Sequence, residues 1–129
     1  MSAVSPLAVV LAAALTFLLG GAWYSGIFAR VWQREAAVTD SQLRSGSLRI
    51  FTGAAALAVV MALTLAAFIG DEGPAFGTFA GFAAGVGWVG CAIGTLHLFE
   101  RRSLVLFAID AGYFAVSFTA MGALIGALQ

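Results

Sequence analysis

The chain has 129 residues, 62% of them hydrophobic and 9% charged, with a formal net charge of zero and a mean hydropathy of +1.04. A soluble domain is about a quarter charged, so six arginines and six carboxylates cannot coat one of this size, and the solvent is a bilayer. Cys91 is the single cysteine, which excludes an intramolecular disulfide, and few, dispersed arginines at zero net charge exclude a nucleic-acid partner.

In chain order there are four apolar runs, Leu7–Phe28, Ile50–Gly70, Phe76–Phe99 and Leu104–Leu128. Each reaches the ~20 residues a helix needs to cross the hydrocarbon core, and none alternates with the period of a strand. They predict helices at about 6–28, 49–70, 76–99 and 104–128 in one domain, residues 1–129. The fold class is an all-α integral membrane protein, a compact four-transmembrane-helix bundle. The first run lacks a basic segment before it and closes on Trp23 and Tyr24, so it reads as a span and not as a cleaved signal.

Arg30, Arg34, Arg44 and Arg49 follow the first run, and Arg101 and Arg102 lie between the last two. The middle linker carries Asp71 and Glu72 without a basic residue. By the positive-inside rule the arginine-bearing linkers are cytoplasmic, which predicts an N-out, C-out orientation. Within residues 29–48, Thr39 and Gln42 have the spacing of a capping box, and Trp32 among Arg30, Arg34 and Glu35 suits an interfacial helix. An unstructured loop is the alternative.

The third run contains "GVGWVG", Gly85 to Gly90. With no strand before it this is a packing feature and not a nucleotide loop. At helical spacing Gly77, Gly81, Ala84, Trp88, Cys91 and Thr95 share one face, while Gly87, Gly90 and Gly94 line another. Small residues let backbones approach closely in lipid, so Gly77, Gly81, Gly85, Gly90 and Gly94 are expected to carry helix packing, with the third helix central. Ala108/Gly112 and Gly122/Gly126 repeat the spacing on the fourth.

"LFAIDAGYFAV" (Leu106–Val116) sets Asp110 in an otherwise apolar or small-residue run broken only by Tyr113. At 1.5 Å per residue it lies roughly 9 Å inside the span, where an unpaired charge costs a few kcal/mol. Tyr113 and Ser117 continue its face. Thr52 enters from the same end, His97 and Glu100 close the third helix there, and Trp23, Tyr24 and Ser25 close the first. Asp110, Tyr113, His97, Glu100, Trp23, Tyr24, Ser25 and Thr52 are therefore the candidate polar cluster, with Tyr24, Thr52, His97 or an inward-reaching Arg101 or Arg102 as partners for Asp110. Trp23, Tyr24 and Trp32 also suit an interfacial aromatic belt. One His with Glu100 and Asp110 makes at best half a metal site. No metal or cofactor is expected, and nothing has the spacing of a covalent catalyst.

"GAWYSGIFARVW" (Gly21–Trp32), "GVGWVG", "LFERRSLVLFAIDAGY" (Leu98–Tyr113) and "MGALIG" (Met121–Gly126) together resemble a bacterial membrane family, domain of unknown function 1761. The resemblance implies a four-helix membrane protein of the bacterial cytoplasmic membrane. It puts Trp23, Tyr24, Ser25, Phe28, Trp32, Phe99, Glu100, Asp110, Gly112 and Tyr113 on the family's motif positions. Gly112 joins the expected packing glycines. Gly26 and Phe114 stand where family members often carry Pro and His.

These features point first to a small transporter- or channel-like module, partnered by lipids and by further copies of itself. A non-catalytic scaffold or regulator binding a membrane protein or lipid is the alternative. A membrane enzyme acting on a lipid or quinone ranks last. The ligand is not legible.

Overall fold

The computed structural model describes residues 4–129, and within them the chain is helical. Helix α1 (Pro6–Gly21) starts at Ser5, whose hydroxyl accepts from the Ala8 amide, with Pro6 in the first turn, where its missing N–H costs nothing. It runs on through a π-helical segment, Ala22–Ile27. Two short helices follow, α2 (Ala29–Glu35) and α3 (Asp40–Leu43). Thr39 and Gln42 form the reciprocal capping box that their spacing predicts. Helix α4 (Ser47–Ile69) leads to the acidic turn. There Gly73, at φ +94°, takes a backbone conformation that side chains disfavour, just before Pro74 opens the next helix. Helix α5 (Pro74–Ala83), a second π-helical segment (Ala84–Gly90) and α6 (Cys91–Phe99) form one continuous rod. Helix α7 (Leu104–Leu128) begins at Ser103, whose hydroxyl accepts from the Leu106 amide.

Four stretches are long and apolar enough to cross a membrane: Pro6–Ile27, Ser47–Ile69, Pro74–Phe99 and Leu104–Leu128. Alternation along the chain puts all six arginines at one end. At the other end the Gln129 side chain accepts from the Ser5 amide and donates to the carbonyls of Ala66 and Gly70, fastening three spans.

The centre of the bundle is α7, not the third span as the glycine pattern led us to expect. Helix α7 packs on α5, on α1 and on the far part of α4, while the third span touches little besides α7. The reason is that the glycines of α5 and α7 face each other. A Cβ on Gly81 would sit 2.0 Å from the Phe118 carbonyl oxygen, and one on Gly122 would sit 2.0 Å from that of Gly77. This contact is backbone against backbone, and it uses up the small face of the third span on one neighbour. Ile69, Met121 and Ile125 are fully buried in the adjacent core.

The π-helical segment also redraws the third span's faces. One extra residue per turn shifts the register by about one position. The face Gly77–Gly81–Gly85 therefore continues as Gly90, Gly94 and His97, not as Trp88, Cys91 and Thr95. Gly94 meets the Phe107 ring of α7, with 3.0 Å to a hypothetical Cβ, whereas Trp88 is 77% exposed and Cys91 and Thr95 are exposed. Gly87 faces open space. The two glycine faces of the ideal helix are one face of the real one. On α7, Gly122 and Gly126 pack on α5, but Gly112 faces the Trp23 indole and Ala108 is exposed.

Candidate functional site

The polar side chains of α1 and α7 pair in antiparallel order. Thr16, Gly20 and Tyr24 recur every four residues along the first span, and Ser117, Tyr113 and Asp110 run the opposite way on α7. Thr16 bonds the Ser117 hydroxyl, and the Tyr113 hydroxyl donates to the Thr16 carbonyl at 2.6 Å. Gly20 leaves room for that phenol, since a Cβ there would stand 3.1 Å from Tyr113 Oη. One turn further, Tyr24 Oη donates to Asp110 Oδ1 at 2.7 Å. Trp23 Nε1 donates to the Ile109 carbonyl at 2.9 Å, which fixes the end of α1 against α7. Tyr24 stands edge-on to both Tyr113 and Trp32, with ring centres 5.4 and 5.7 Å away.

The second oxygen of Asp110 is met from the third span. His97 Nε2 lies 3.2 Å from Asp110 Oδ2, with the two side chains 12% and 20% exposed. The register shift at Ala84–Gly90 turns His97 toward α7. The turn after it holds it there: Arg102 N–H donates to the His97 carbonyl at 2.9 Å, and Arg101 takes the left-handed conformation that ends the helix. A carboxylate oxygen only accepts, so this geometry favours a proton on Nε2, and in the neutral ring Nδ1 then keeps its lone pair. Nδ1 is buried and has no hydrogen-bond partner. The result is a chain of polar atoms, Tyr24 Oη, Asp110 and His97, bridging three spans in the arginine-bearing half.

Of the residues singled out from the sequence, Trp23, Tyr24, His97, Asp110 and Tyr113 come together. Three do not. Thr52 is exposed on α4 and makes no hydrogen bond among the described residues, because that end of α4 stands away from α7. Glu100 is exposed and pairs with Arg102 at 3.3 Å. Ser25 is exposed, on the rim of a crevice between α1 and α4. Neither Arg101 nor Arg102 reaches Asp110. Among the described residues no group of three His, Cys, Asp or Glu side chains could hold a metal ion.

Two contacts had escaped the sequence reading. Thr16 carries the polar stripe to the middle of the first span, and its spacing to Gly20 and Tyr24 was the available signal. Glu35, at the end of α2, accepts from the Ser103 hydroxyl and ties the first linker to the start of α7. That bond, with Arg34 beside it, holds the Glu35 carboxyl below its ordinary value.

No curated protein and no solved structure matches the chain. A family model covers residues 7–126, almost the full length, and includes every residue of the Tyr24–Asp110–His97 chain, so the protein belongs to the family described as "Protein of unknown function (DUF1761)".

Proposed function

We propose that this small membrane protein handles protons at the arginine-bearing end of its bundle, as a transporter-like module of the bacterial cytoplasmic membrane. The observation that supports this reading is the Asp110 carboxylate held between Tyr24 Oη and His97 Nε2. A carboxylate beside Nε2 orients the ring, and an imidazole can take up a proton at one nitrogen and release one from the other. Tyr24 extends the chain toward the α1–α4 crevice, and His97 extends it toward the α6–α7 turn. Glycine-to-backbone packing of α5 on α7 leaves no passage between those helices, which supports placing a path across the membrane between copies of the protein. All six arginines share one end, which supports a cytoplasmic location for that end. In a Cys91-replaced background, Ser41→Cys then reacts only from the cytoplasm and Glu72→Cys only from outside.

Reconstitution into liposomes holding a pH-sensitive dye, with a potassium-diffusion potential applied, tests the reading. Proton flux above that of protein-free liposomes is expected, and its loss in Asp110→Asn and in His97→Gln. Flux that survives both substitutions, or wild-type flux at the protein-free level, removes the proposal.

The second reading is a scaffold in which Asp110 only joins helices. It is favoured by the satisfaction of both carboxylate oxygens within the protein, and it predicts folded, flux-free wild type and Asp110→Asn alike.

A further inference from the structure

Among the grooves that open sideways from the bundle, two differ in where their polar groups lie. The groove between α4 and α5, about 420 Å³, is walled by Phe68, Phe76, Phe79 and Trp88. Its one hydroxyl, on Thr64, is turned back to the Val60 and Met61 carbonyls. Beyond the Trp88 indole N–H, its lining offers a head group no free polar side chain. The crevice between α1 and α4, about 340 Å³, lies in the arginine-bearing half and has apolar walls with a polar rim. Phe17, Phe51, Leu57 and Met61 are among its walls, and the Tyr24 and Ser25 hydroxyls stand at the end nearer the arginines. Its volume falls in the range of roughly 300–1,000 Å³ usual for small-ligand sites.

The space exists because small residues line it and because α4 leans away. Gly20, Gly21, Ala54 and Ala58 contribute almost no side chain, and every residue of α4 from 47 to 57 is exposed. A Cβ on Gly21 would meet nothing within 4 Å. The linker joining the two walls carries Arg30, Arg34 and Arg44, and Arg49 begins α4. Its two carboxylates are engaged, Glu35 by Ser103 and Arg34 and Asp40 by Gln33. Among the described residues Arg30, Arg44 and Arg49 therefore have no carboxylate partner. Three cations without a carboxylate partner, two in the linker that joins the slot's walls and one next to the lining residue Ile50, are complementary to a hydrocarbon chain that ends in an anion.

We propose that the α1–α4 crevice binds a single-chain amphiphile with an anionic head group, its chain along Phe17, Phe51, Leu57 and Met61 and its head among Arg30, Arg44 and Arg49. This site stands independently of proton handling.

The full-length protein in phosphatidylcholine nanodiscs, photolysed with hexadecanoic acid bearing a terminal diazirine, tests it. Peptide mapping should place the label on Phe17, Phe51, Leu57 or Met61 in preference to Phe68 and Phe79 of the other groove. Gly21→Leu on one wall and Ala54→Leu on the other should each lower crevice labelling several-fold. Gly53→Leu, which also enters open space but does not line the crevice, should leave it unchanged, and unaltered melting of all three establishes that they fold. The matching diazirine alcohol should label the crevice several-fold less than the acid. Equal labelling of the two grooves, or labelling indifferent to both filling variants, overturns the site. Equal labelling by the alcohol and the acid overturns the anionic head group.

Discussion

Helix α7 meets α5 through backbone and α1 through side chains. On the α5 side, Gly77, Gly81 and Gly85 stack against Phe114, Phe118, Gly122 and Gly126 so closely that no Cβ would fit. On the α1 side, Thr16, Tyr24 and Trp23 hydrogen-bond across to Ser117, Tyr113, Asp110 and the Ile109 carbonyl. Lipid supplies no hydrophobic drive to bring helices together, so association must come from close packing or from polar pairs. This bundle uses one on each side of the same helix. The steric side sets the distance between helices, and the polar side sets the angular and axial register that brings Asp110 to Tyr24.

The difference can be broken from either side. Gly81→Leu should have the largest effect, because its Cβ collides with the backbone at Phe118 and no side chain can rotate out of the way. The loss should exceed the ~1–3 kcal/mol of ordinary overpacking, read as a collapse of thermal stability in detergent. Gly87→Leu, which enters open space, should be close to neutral. Next comes Asp110→Leu, which strands Tyr24 Oη and His97 Nε2 and should cost about 1–3 kcal/mol. Asp110→Asn, which can still accept from one and face the other, should cost less. Thr16→Val removes the hydroxyl contacts to Ser117 and Tyr113 and keeps the shape, and should cost about 0.6–1.7 kcal/mol in a membrane setting. Both are measurable by the same melts.

The smallest effect belongs to the linker. Because the folded state holds Glu35 below its ordinary value, the Ser103–Glu35 contact stabilises fully above the unfolded carboxyl's pKa of about 4.3. Its contribution fades as pH falls through the lowered folded value. The difference in melting temperature between wild type and Glu35→Gln should be present at neutral pH and vanish in acid. A difference that grows on acidification would contradict the contact.

The spans, the capping box at Thr39 and the membership of Tyr24 and His97 in one cluster with Asp110 were legible in the sequence, because hydropathy, capping and polar residues in lipid are local signals. The centre of the bundle was not. Glycine spacing shows that a helix can approach a neighbour closely, but not how many neighbours it has, and here α7 supplies both contacts. The third span's faces were misassigned because Gly85–Gly90 adopts π-helical turns, and the 3.6-residue period used to sort the faces does not hold there. That segment is the reason His97 points to Asp110 while Cys91 and Trp88 point outward. Thr52 was drawn into the cluster by depth alone, and the leaning of α4 away from α7 keeps it out.

The measurement closest to the centre of this account is the tautomer of His97. It is the only histidine in the chain, so nitrogen-15 NMR of histidine-labelled protein in lipid gives a single imidazole. Recorded where the ring is neutral, the spectrum should show the proton on Nε2 and a bare Nδ1, and Asp110→Leu should release that preference. A ring protonated on Nδ1, or one whose tautomer does not change in Asp110→Leu, would mean that Asp110 does not orient His97.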